Sequence, residues 1–108
     1  MEHSKAVAHL DTLSSLARQP RLAKGIIKSA EDTLIDAIAE CALQIVTGVV
    51  KVSEESKPER LKKILPFIKF LASHRVSCRK KRNFLLRGGS YILNLILPPV
   101  LGYIAKHL

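Results

Sequence analysis

The sequence predicts an all-α fold, a small single-domain bundle of four or five helices. Three observations carry that expectation. Apolar residues recur at spacings of three and four along most of the chain. No stretch alternates apolar and polar residues between turn signals, as strands would require. Residues that favour helix starts precede the apolar runs, and Gly or Pro stands at several of the breaks. With 108 residues, 47% of them hydrophobic, the chain can fill one modest core and not two.

Ser4 is placed to cap a first helix reaching about Ala17, with Val7, Leu10, Leu13 and Leu16 in one stripe. Pro20 suits the first turn of a short helix over residues 21 to 28, so these are two helices or one broken one. The clearest helix follows Ser29 as its cap, with Glu31 and Asp32 at the positive end of its dipole. Its broad apolar face of Leu34, Ile35, Ile38, Cys41, Ala42, Ile45, Val46 and Val49 suits the central element of a bundle and weakens at Gly48.

Ser56 and Glu59 stand at capping-box spacing for a helix over residues 57 to 72. Leu61, Ile64, Leu65, Ile68 and Leu71 form its stripe, and Pro66, which has no N–H to donate, should bend it. Ser77 is placed to cap a last basic helix, CRKKRNFLLR, which Gly88 and Gly89 end. Residues 1–87 thus read as a helical body and residues 88–108 as a Gly-Gly hinge with an apolar tail.

The formal charge of +9 is concentrated in one segment. Residues 1 to 56 carry six Lys/Arg against eight Asp/Glu, whereas residues 57 to 87 carry eleven against Glu59 alone. Such a block seeks an anionic partner, either nucleic acid or an acidic membrane surface. Lys62, Lys63, Lys69, Arg75, Arg79, Lys80, Lys81, Arg82 and Arg87 are the candidate phosphate contacts, which would make binding salt-sensitive and indifferent to sequence. Aromatic residues for stacking are few, Phe67, Phe70 and Phe84, at positions a core would also claim. A helix-turn-helix reader built from residues 57 to 72 and 78 to 87 is compatible with the pattern, but small bundles that touch no DNA share it. A solvated face or a nuclear import signal is the plainer use of such a run.

No enzyme is indicated. His3, His9, His74 and His107 are scattered, and no phosphate loop, nucleophile elbow or metal-ligand spacing appears, so neither cofactor nor metal is expected. Asp36 and Glu40 share a helical face as a solvated pair. Cys41 belongs to a core face, while Cys78 lies among cations that should lower its pKa. Two cysteines make no disulfide framework and the N-terminus has no secretory pattern, which together fit a reducing cytoplasm or nucleus.

The apolar tail has two readings. Tyr91, Ile92, Leu93, Leu95, Ile96, Leu97, Val100, Leu101, Tyr103 and Ile104 form an interfacial membrane segment, anchored by the tyrosines and Lys106, or they fold back to complete the core. Pro98 and Pro99 count against an uninterrupted spanning helix.

From about Ala17 onward, the order of pieces resembles a known family. The run RLAKGIIKSAEDTLIDAIAECALQIVTGVVKVS, a Lys-rich helix, then SHRVSCRKKRNFLLRGG and an apolar Pro-containing tail are similar to small basic proteins encoded by Polinton (Maverick) elements and adintoviruses. That family is compared with adenovirus core proteins. The chain departs from it at Pro66 and the apolar ILPFIKFLA, where family members are more basic. The resemblance implies a virion-associated, genome-binding protein of a virus or virus-like element. It also gives Leu86, Arg87, Gly88, Gly89 and Ser90 a second meaning, because adenovirus-type maturation proteases favour an aliphatic residue, any residue and two glycines before the cut. Cleavage would free residues 90 to 108 as a membrane-active tail; a helix end and hinge is the ordinary reading of the same glycines. A bundle binding a host protein through an apolar groove is the third expectation.

Overall fold

A computed structural model describes residues 8–51 and 58–107, without the side chains of residues 20, 58–61 and 107. The fold is all-α. Six α-helices lie among the described residues: α1 (Leu10–Arg18), α2 (Ala23–Ser29), α3 (Asp32–Val46), α4 (Pro58–Ala72), α5 (Cys78–Leu86) and α6 (Leu93–His107). Short 3-10 turns at Pro20–Leu22 and Gly89–Ile92 lead into α2 and α6.

The helix α3 is central, packing against α4, α5 and α6, and α6 also lies along α1. Its buried residues Leu34, Ile35, Ala37, Ile38, Cys41 and Ala42 cover more than one stripe, as a helix surrounded by others requires. Ile64, Ile68 and Leu71 of α4 close on it, and Leu13 and Leu16 of α1 are buried where that helix meets α6, as their spacing predicts. Leu65 and Val49, read from sequence as core, are exposed. The caps expected from Ser4 and from the Ser56–Glu59 pair lie outside the described residues or side chains.

One predicted cap is corrected. Ser29 does not open α3; it ends α2, and its hydroxyl donates to the Gly25 carbonyl at 3.0 Å. Serine forms either bond readily, and here the bond back along its own helix is made. Glu31 instead occupies the extended cap position of α3, and its backbone carbonyl accepts from Leu34.

Of its two readings, the tail takes the second. It is a fifteen-residue helix that runs through Pro98 and Pro99, and it completes the core. Neither proline can donate to the carbonyl one turn back; Asn94, whose carbonyl Pro98 releases, is exposed to water, and Leu95, whose carbonyl Pro99 releases, is half-buried. Ile92, Leu93, Ile96, Leu97, Val100 and Ile104 are all fully buried, so the chain after Gly88 is no separate unit from the body before it.

Candidate nucleic-acid interface

The two cation-bearing helices are held together by the phenylalanines. The Phe84 ring of α5 stacks on Phe67 of α4, with centroids 5.6 Å apart and planes 15° from parallel. Phe70 meets the same ring edge-on at 5.4 Å. Lys62, Lys63 and Lys69 on α4, Arg75 in the intervening turn, Arg79 and Lys80 on α5 and Arg87 at its end are exposed. Among the described residues none of these seven pairs with an acid, because the acids that α5 meets are engaged by other side chains.

Two of the expected phosphate contacts, Lys81 and Arg82, turn inward, and both are corrected. Arg82 reaches across to the end of α2: Nη1 donates to the carbonyls of Ile27 and Ala30, each at 2.6 Å, and Nη2 to Asp32 Oδ1 at 2.9 Å. A cation placed against the last carbonyls of a helix satisfies acceptors that have no partner within it. Lys81 is only 4% exposed. Burial pushes its pKa down, while the charges of Cys78 and Asp36 oppose that shift. Cys78, Lys81, Arg82 and Leu85 occupy i, i+3, i+4 and i+7, the inward face of α5, and this spacing was the available sign that the middle two point inward.

Ser77 caps α5 as expected, its Oγ accepting from the Lys80 N–H at 3.2 Å. Cys78 departs from expectation. Its Sγ donates to Asp36 Oδ1 at 2.9 Å, and this hydrogen bond, then burial, then the charges of Asp36 and Asp32 raise its pKa against the opposing pull of Lys81. The nearby cations therefore do not make it a ready thiolate, and Asp36 is not the solvated member of a surface pair. Cys41 is core, its thiol pushed up to about 12 by burial, with the charge of Glu40 adding to the shift. Among the described residues no group of three His, Cys, Asp or Glu side chains stands together to hold a metal ion.

The glycine pair sits at a tight corner of the fold. Gly88 follows α5 with φ 111°, a left-handed conformation that ends a helix without the steric penalty of a Cβ. Gly89 is buried beneath Phe84, and a Cβ there would lie 2.5 to 2.7 Å from three ring atoms. The expected free hinge is thus a packed corner, and Leu86, Arg87, Gly88, Gly89 and Ser90 follow a helix end and a 3-10 turn, not the extended strand a protease grips. Gly89→Ala should therefore destabilise the protein by about 1–3 kcal/mol, as overpacking does. A circular-dichroism melt checks this, and an unchanged midpoint would mean the ring swings aside freely.

Of the ten residues expected at a membrane, Leu95, Leu101 and Tyr103 are half-buried and only Tyr91 is exposed, the other six being core. Among the described residues no single helix is long and apolar enough to cross a membrane; α5 and the stretch Gly89–Lys106 would qualify together but meet at 97°.

A groove of about 530 Å³ opens between α4 and the start of α6, lined by Lys63, Ile64, Phe67, Tyr91, Asn94 and Leu95. Tyr91 did not figure among the sequence-predicted contacts for nucleic acid. Comparisons of the chain with family models, with curated proteins and with solved structures find no match.

Proposed function

We propose that this chain is a non-enzymatic basic protein that binds nucleic acid without regard to sequence, in the virion or mobile-element setting that the family resemblance suggests. The observation that carries the reading is the set of seven exposed cations on α4, the following turn and α5, with no acid paired to them among the described residues. Guanidinium and ammonium groups free of partners can each displace a counterion from a phosphate, and such contacts are blind to base identity. Lys81, buried, and Arg82, bonded to the end of α2 and to Asp32, fall outside this set.

The test is fluorescence anisotropy with two duplexes of unrelated sequence. Both should bind equally, with affinity falling roughly a thousandfold between about 50 and 200 mM salt if most of the seven engage phosphates. Replacing Arg79, Lys80 and Arg87 by Gln should weaken both duplexes alike and flatten the slope of log affinity against log salt by about 2–3. Binding that ignores salt, or that prefers one sequence, would overturn the reading. An anionic lipid surface is the competing partner, but its insertion segment is the helix α6, whose apolar face is already occupied by the core.

A further inference from the structure

We propose that the groove between α4 and α6 receives unpaired nucleobases, so that the protein binds single-stranded nucleic acid in preference to duplex. The inference rests on the reading of the basic face as a nucleic-acid surface and assigns part of that surface a task. Phe67 is the central observation. One face of its ring is covered by the nearly parallel Phe84, yet the side chain remains 42% exposed and lines the groove. Its uncovered surface is therefore the outer end of an aromatic stack, which a flat ring entering the groove would extend by one layer.

The rest of the lining suits the same occupant. Tyr91, 47% exposed, supplies a second ring from the turn before α6. Lys63 stands in the wall with exposed Lys62 next to it in the chain, so a backbone phosphate attached to the entering base meets a cation. Asn94 offers an amide that can donate to or accept from a base edge. Among the described residues no acid lines the groove. Stacking on aromatic rings beside cations is how proteins hold single strands without reading sequence, because every base has a π-face. In a duplex those faces are already stacked on one another and unavailable.

An acidic amphipathic helix would also answer the charge, but it needs apolar anchors at i, i+3, i+4 and i+7. Among the described residues each wall is about five residues long, Lys63 to Phe67 on one side and Tyr91 to Leu95 on the other, which fits a ring or two better than a helix.

The experiment compares a fluorescein-labelled oligothymidylate with a duplex of equal length on the full chain. The single strand should bind at least about tenfold more tightly, and Tyr91→Leu and Phe67→Leu should each cost it about 5- to 100-fold while moving the duplex less than twofold. Because Phe67 also braces Phe84, the exposed Tyr91 provides the variant that leaves the fold alone. As a second readout, the remaining tyrosine emission of a Tyr103→Phe protein should be quenched by the oligonucleotide and not by the duplex. Equal losses for both strand forms, no loss for the single strand, or no quenching overturns the proposal. So does an acidic helical peptide that binds more tightly than the oligonucleotide and is lost with Tyr91→Leu. If duplex binds and the groove variants change nothing, this inference alone fails; if neither form binds, the reading of the basic face fails with it.

Discussion

Cut after Gly89, the protein should not fold. The six buried side chains from Ile92 to Ile104 each contribute about 1.5–3 kcal/mol by leaving water, roughly 10 kcal/mol or more together, against a total stability of about 5–15 kcal/mol for an ordinary domain. Removing them also opens the faces of α1 and α3 that α6 covers. Circular dichroism of a 1–89 chain should show lost helicity and no cooperative melt. A truncated chain that melts near the full-length midpoint would make α6 an appendage and restore the detachable tail.

The second large effect is expected at Arg82. Arg82→Ala takes its donors from the Ala30 carbonyl and the Asp32 carboxylate, and leaves the Ile27 carbonyl only the long 3.4 Å bond from the Ala30 N–H. Hydrogen bonds to a charged group contribute about 1.5–3 kcal/mol each, and the Arg82 side chain is 18% exposed while that of Asp32 is 74% exposed, so the salt bridge is the weak member. A loss of about 3 kcal/mol, or roughly 10–20 °C in melting temperature, is expected. Arg82→Lys should rescue little, since one ammonium cannot span three acceptors as a planar fork does. Arg79→Ala, one turn earlier on the exposed face, should leave the melt unchanged. Equal melts for the Arg82 and Arg79 variants would return Arg82 to the phosphate-binding set.

The helices were readable because their information is local. The spacing in α3 and α4, the Ser77 cap and the helix end at Gly88 all act within a few residues, and apart from the exposed Val49 and Leu65 the structure places them as read. Ser29 misled because two local bonds compete for the same hydroxyl, and neighbouring sequence does not rank them. The cationic block misled for a different reason. Arg79, Lys80, Lys81 and Arg82 form one run by composition, and only the helical spacing of Lys81 and Arg82 from Cys78 and Leu85 marks those two as inward; that Arg82 meets the end of α2, 52 to 55 residues away in the chain, lies beyond any local pattern. The tail was ambiguous because apolar composition states that a surface will be covered and not by what. Pro98 and Pro99 suggested a break, yet a helix tolerates prolines where solvent can satisfy the carbonyls they release.

The buried corner at Gly89 also bears on timing. An enzyme that recognises the two glycines needs several residues drawn out straight, whereas here the peptide before Ser90 lies under a phenyl ring clamped by two others. Access then requires the aromatic cluster to separate, and the cutting rate follows the fraction of chains caught open. A newly made chain is open throughout; a finished one is open rarely. Any processing at this bond would therefore be a race against folding, with the phenylalanine cluster as the latch that ends it.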